Sequence, residues 1–570
     1  LSVDIEITAM DSFAVDYNVH TVTLNTKNPT IGKRFKSEYG LPAIVDDIEV
    51  KTNSFYSLTL VPQSRTVVSD QECRYNHNSG GDFTIFPSAN FDLHYLNGSL
   101  AFYHGQAIKN LMETEYRLFR GVFHFNVSSK LDLFAFPCEG HSVIWDRRYG
   151  NAIDPTRNNC YALYATDVNT TDPYILVHSS LMRSYGYAPP FLSEGFANYF
   201  SLAIHHMKKI KKSGKMISLG DLLRPRGYLS ADPAVADASA ATFVRYLIDL
   251  YSAGTFKELY AAADDLNLKT KIETTYSKSL ETLEREWQNY IDTLAIPSQF
   301  YIEFGGRAQQ MQNYPLALEY RQAAYELSRT HEDSLLRLEQ LADAFFLSGD
   351  YFNAASSQKR LAEMDPKNRQ HLLGLAGYRM MNGDYELALK NLNAAATFDP
   401  KDEVLKFNFG LNALYRGDSS EAGEIWGEIV HASPSGQLQG EPRVMLGLLL
   451  RQSENLAEKQ EAQNLFTIAV ALFNQQVQID PSVPNPYLWT GIALLGLDDA
   501  ENAYDQLKQA LFLESRPFYT GMINLWLGKA ADLRGKRELA RNHYSLVMSG
   551  ASAAYHRDEA AQYLEQSYHQ

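Results

Sequence analysis

Gly349-Asp350-Tyr351-Phe352-Asn353-Ala354 and Gly383-Asp384-Tyr385-Glu386-Leu387-Ala388 are variants of one phrase, 34 residues apart. Gly417-Asp418 opens it a third time at the same interval. Ala354, Ala388 and Ala422 keep that spacing, and so do Pro366, Pro400 and Pro434. A period of this length marks a helix pair stacked in series, and each recurring residue has a physical task. Gly-Asp ends one helix and starts the next, small Ala lets the two helices approach, and Pro breaks the chain before the following pair. The position four residues after the Ala is large, Leu392 in one unit and Trp426 in the next.

This pattern resembles the tetratricopeptide repeat. The frame extends outward with less fidelity through Gly305 and Ala317 on one side and Gly447, Ala462 and Phe466 on the other. Beyond these come Tyr487, Gly491, Ala503 and Ala510, then Gly528, Ala540 and Tyr544. Seven repeats are expected in an all-α solenoid over residues 299–570. The fifth departs most, with an extra turn around Glu454 to Lys459 and a second helix reaching about Ile479, as a partner-specific feature or a tolerated insertion. The resemblance implies a concave groove that takes a peptide or a folded protein.

The N-terminal half has a different texture. Residues 1–85 alternate apolar and polar side chains in short runs, as in Val3-Asp4-Ile5-Glu6-Ile7 and Ser57-Leu58-Thr59-Leu60-Val61, and predict a small β-rich region. Residues 86–298 follow an α/β order: a strand at Asn90 to Tyr95, an amphipathic helix from Ala101 to Phe119, strands at Lys130 to Phe136 and Tyr161 to Thr166, then helices. The predicted fold is thus an α+β N-terminal half followed by the solenoid.

Within that half, Pro189-Pro190-Phe191-Leu192-Ser193-Glu194-Gly195-Phe196-Ala197-Asn198 resembles the segment that supplies the third zinc ligand in gluzincin-type metallopeptidases. In that family it follows an HExxH helix, whose two histidines share one face and grip the metal. The matching residues here are His178-Ser179-Ser180-Leu181-Met182. His178 and Glu194 keep ligand positions, Ser179 replaces the general-base Glu, and Met182 replaces the second His. A catalytic zinc takes three protein ligands and a water that needs a base, and a thioether suits it poorly. The resemblance, which also takes in Ala240 to Tyr260 as a following helix, therefore implies a peptidase fold with no catalytic residue, no metal and no cofactor. The alternative is an active zinc peptidase with a non-standard ligand set completed by His141, His205 or His206.

Composition narrows the rest. The chain has 570 residues, a formal net charge of -15, 45% hydrophobic and 21% charged residues. An acidic chain argues against non-specific nucleic-acid binding, and no apolar run is long enough to span a membrane. Met207 to Lys215 gathers five Lys, which read as the solvated end of a helix rather than an anion-binding surface. Cys138 and Cys160 are candidates for a bridge or for separate thiols, and Cys73 stands apart. Leu1-Ser2-Val3-Asp4-Ile5 has neither the basic start nor the apolar run of a secretion signal, so a processed or trimmed chain is expected. Sequons at Asn97, Asn126 and Asn169, Asn-rich loops and 35 Tyr suggest a periplasmic, secreted or cell-surface protein. The expected role is a binding or scaffold subunit of a larger assembly. A repeat adaptor in which the peptidase-like domain is only structural is the other reading.

Overall fold

The computed structural model describes the backbone of residues 2–8, 13–23, 30–37, 42–49 and 56–67, and residues 83–123, 130–137, 151–154, 158–165, 173–186, 188–264, 266–432 and 438–569. The chain divides into two compact units, Leu1–Ile296 and Pro297–Gln570.

In the first unit, β1 (Ser2–Thr8) pairs antiparallel with β4 (Pro42–Glu49), and β2 (Phe13–Thr23) lies between β3 (Thr30–Ser37) and β5 (Tyr56–Val67). The alternating run Val3 to Ile7 falls on β1, as its period of two requires. A second, mixed sheet follows: β6 (Thr84–Pro87), β7 (Phe91–Tyr95), β8 (Leu131–Phe136), β9 (Asn151–Asp154) and β10 (Asn159–Leu163), in the order β6-β7-β8-β10-β9. The three inner strands are parallel and both edges antiparallel. Parallel neighbours need a crossover, and α1 (Leu100–Phe123) makes the one between β7 and β8. Ser99 accepts from the Phe102 amide at its start, and Ile108, Met112, Tyr116, Phe119 and Phe123 are buried at helical spacing along it.

Helices complete the unit: α2 (Pro173–Tyr185), α3 (Pro190–Ala197), α4 (Ala203–Lys212), α5 (Leu219–Leu222), α6 (Pro225–Ser230), α7 (Pro233–Leu250), α8 (Ala253–Ala262), α9 (Leu268–Tyr276) and α10 (Leu280–Thr293). The stretch Ala240 to Tyr260, read as one helix, is two. Ser252 accepts from the Thr255 amide and starts a new helix, a capping signal that the apolar run around it hid. The lysine-rich stretch on α4 is not wholly solvated either. Lys208 donates to the Leu294 carbonyl at 2.7 Å, and Lys211 to the Gln288 carbonyl at 2.8 Å and Asp292 at 2.7 Å, so both serve the C-terminal turns of α10.

The second unit is helical throughout its described residues. Seven hairpins succeed one another: α11 (Ser298–Gln310) with α12 (Tyr314–Glu326), α13 (His331–Leu347) with α14 (Tyr351–Met364), α15 (Arg369–Asn382) with α16 (Tyr385–Ala396), α17 (Glu403–Tyr415) with α18 (Ser419–Ala432), α19 (Glu441–Arg451) with α20 (Leu456–Ile479), α21 (Pro484–Gly496) with α22 (Ala500–Leu513), and α23 (Pro517–Leu533) with α24 (Arg537–Ser549). A last helix, α25 (Ala554–Glu565), follows. This is a tetratricopeptide-like array. Gly349, Gly383 and Gly417 take positive φ at the turns, and Asp350 caps α14 through the Asn353 amide. Ala354, Ala388 and Ala422 are fully buried between helices. A β-carbon on Gly410 would overlap the Trp426 indole, one on Gly447 the Phe466 ring, and one on Gly528 the Tyr544 ring. The long α20 has a local reason as well: Phe473, fully buried on its extension, packs where a β-carbon on Gly440 would sit, covering the start of α19.

Candidate functional site

Two places concentrate polar groups in buried surroundings, one in each unit. In the first, α2 carries His178 and α3 carries Glu194, and the turn between them brings His178 Nε2 to 3.3 Å from Glu194 Oε1, with side-chain exposures of 11% and 12%. Burial lowers the His178 pKa to about 4, so the imidazole is neutral near pH 7 and the contact is not then an ion pair. Gly195, next to Glu194, lets α3 pack closely. A β-carbon there would lie 2.6 Å from the Ala240 carbonyl oxygen and 2.6 Å from Val244 Cγ2, so α3 rests directly on α7.

The neighbours of His178 are occupied with packing. Ser179 is fully buried beside Cys160, whose thiol burial pushes up to about 12. Ser180 Oγ lies 2.9 Å from the Tyr116 hydroxyl. Met182 is half-buried, and Tyr260, fully enclosed, feels the charge of Glu194 in addition to its own desolvation, both of which raise its pKa. Ser179 thus lies in the packed interior beside Cys160, and it is His178 that stands against Glu194. Among the described residues, no group of three His, Cys, Asp or Glu gathers as a metal-ligand set. His205 and His206 face each other edge to face at 5.4 Å on α4. His141 lies outside the described residues, as do Cys73, Cys138, Asn126 and Asn169. Cys160 is a free buried thiol near the Ile175 carbonyl, while Cys138, its suggested partner, lies outside the described residues.

The second place is the interior of the repeat array. An open groove is the expectation, yet the array closes on itself. Tyr314 and Ser515 hydroxyls meet at 2.7 Å, Tyr351 donates to the Ala551 carbonyl, and the Phe346 and Phe518 rings lie 6.1 Å apart, joining the first hairpins to the last. Helix α25 then turns inward, where Tyr555 stacks on Tyr415 at 3.6 Å. Aromatic side chains on the inner helices drive this closure, because an open array would leave them in water.

What remains inside is a cavity of about 520 Å³ whose walls include Phe407, Leu411, Trp489, Met522 and Trp526. Its charged side chains are few. Lys529, 4% exposed, pairs with Glu559 at 2.5 Å and lies 3.9 Å over the Trp526 ring. His556 is held neutral by burial, with its pKa lowered to about 3. Glu441, at the start of α19, has its pKa raised by burial, against hydrogen bonds from its own amide and from Asn485. Apolar walls with a few converging polar groups are the usual make-up of a binding site. None of these residues stood out in the sequence. The signal was there in Lys529, the one cation within Pro517–Leu533, an otherwise largely apolar helix.

No family model matches the chain, and no curated protein matches it. Solved structures that resemble it are repeat proteins. A tetratricopeptide repeat protein from Parabacteroides merdae is 16% identical, with 47% of this chain and 97% of that chain covered and a TM-score of 0.31. A thermophilic TPR protein from Thermus thermophilus is 21% identical, with 35% and 100% covered and a TM-score of 0.27. YrrB, a TPR protein with an unusual peptide-binding site, is 14% identical, with 37% and 100% covered and a TM-score of 0.20. At these values the repeat reading stands on the chain's own 34-residue period and its seven hairpins. No helix among the described residues is long and apolar enough to cross a membrane.

Proposed function

We propose that this protein is a non-catalytic binding or scaffold subunit that holds a peptide segment of its partner inside the repeat array, and that its gluzincin-like domain no longer cleaves. The observation that carries this reading is the cavity of about 520 Å³ at the centre of the closed array, a volume in the range of ligand pockets and large enough for two or three side chains. The peptidase-like part of the reading is supported by His178 and Glu194, which stand 3.3 Å apart as two ligand positions would, with Ser179 and Met182 at the base and second-ligand positions. A place outside the cytoplasm and in a larger assembly accords with the sequons and the tyrosine-rich composition.

The test is selection of displayed random dodecapeptides by the full chain, with Leu448→Trp, which fills the cavity from its wall, as the counter-target. The expected result is a set of peptides that the full chain binds and the filled variant binds at least tenfold more weakly. No enriched peptide, or equal binding by both proteins, would overturn the proposal.

The closeness of His178 and Glu194 favours one second reading, an active zinc peptidase with an unforeseen ligand set. Elemental analysis of the full chain, purified without chelator, and of Glu194→Ala decides it. Stoichiometric zinc lost in the variant would establish that reading; no metal in either protein would remove it.

A further inference from the structure

The cavity walls carry an unbalanced charge. Lys529 is neutralised by Glu559, and His556 is uncharged because burial holds its pKa near 3. The tyrosines that reach the cavity, Tyr415, Tyr519, Tyr555, Tyr563 and Tyr568, stay protonated because desolvation raises their pKa values. Glu441 is left. Two neutral donors hold its carboxylate, its own backbone amide and the Asn485 side chain, and no Lys or Arg among the described residues pairs with it. Once ionised it is a lone negative charge in an aromatic and aliphatic wall, where a charge interacts more strongly than in water.

We infer that the array selects a peptide segment presenting one Lys or Arg to Glu441, flanked by large apolar side chains that fill the cavity against Trp489 and Trp526. This rests on the peptide-binding reading above and names the chemistry of its ligand. Two further features fit a basic ligand. The cavity that Glu441 lines also holds aromatic rings, whose faces attract a cation, as Trp526 already does for Lys529 at 3.9 Å. The formal net charge of -15 favours the approach of a cationic partner at low salt.

The experiment uses the peptides enriched by the full chain, so an absence of any enriched peptide speaks against peptide binding itself, not against the role of Glu441. Each selected peptide is measured with its basic residue replaced by norleucine, against wild type and Glu441→Gln, in a double-mutant cycle. Glu441→Gln keeps the side chain's shape, and a thermal melt beside the wild type checks folding. Each single change is expected to weaken binding about tenfold, with the double change no worse than either, as a direct pair requires. Glu441→Lys is expected to shift selection from basic toward acidic peptides. Enriched peptides that lack a basic residue, a Glu441→Gln effect under twofold, or independent losses from the two changes would overturn the inference while leaving peptide binding intact. Equal affinity for a free organic cation such as butylamine would overturn it in favour of a small-molecule site.

Discussion

A methyl group on Gly195 would meet the Ala240 carbonyl oxygen and Val244 Cγ2, each at 2.6 Å, with backbone on one side that cannot step away. Gly195→Ala is therefore expected to cost about 1–3 kcal/mol, read as a lower urea midpoint for the first unit. An unchanged midpoint would mean that α3 does not rest on α7 as described. The neighbouring His178 gives a pH dependence. Its folded pKa of about 4 lies below the ordinary value of about 6.5, so the unfolded chain takes up a proton that the folded chain refuses. Its effect on stability is absent above pH 6.5 and grows as pH falls toward 4, to at most about 3 kcal/mol of destabilisation. His543 and His556 are depressed in the same sense, so a comparison isolates the residue. His178→Gln should lose less stability than wild type between pH 7 and pH 4.5; parallel losses would contradict the buried neutral imidazole.

Helix α25 is the element on which the shape of the second unit depends most. Tyr555 of α25 stacks on Tyr415 of α17, and Lys529 of α23 pairs with Glu559 of α25, so the helix is tied to the inner wall rather than to its predecessor alone. Tyr555→Ala removes the stack and is expected to raise amide exchange across Ala554–Glu565 about tenfold or more, with the earlier hairpins unchanged. Uniformly faster exchange across the unit would show instead that α25 and the hairpins open together. This helix also marks where sequence reading ended. The hairpins were legible because Gly383, Ala388 and Pro400 act on residues near them in the chain. Closure was not, since Tyr314–Ser515 and Tyr351–Ala551 join residues 201 and 200 apart and follow from the summed curvature of the whole array. The pairing of His178 with Glu194 was legible only through its resemblance to a known ligand pattern. Glu441 gave no signal, because an acidic residue in the first turn of a helix is ordinary.

Taken whole, the chain is two units of different construction. The first buries a histidine–glutamate pair among closely packed side chains. The second wraps its described helices, α11 to α25, around an interior that retains a cavity of about 520 Å³. The division of labour proposed here, binding in the repeats and no cleavage in the peptidase-like domain, places the partner in residues 297–570. Photo-crosslinking tests this most directly. A selected peptide carrying a benzoylphenylalanine would be irradiated with the full chain and the adducts mapped by mass spectrometry. Adducts on Met522, Trp526 and Trp489 are the predicted result. Adducts around His178 and Glu194 instead would contradict the account and return function to the first unit.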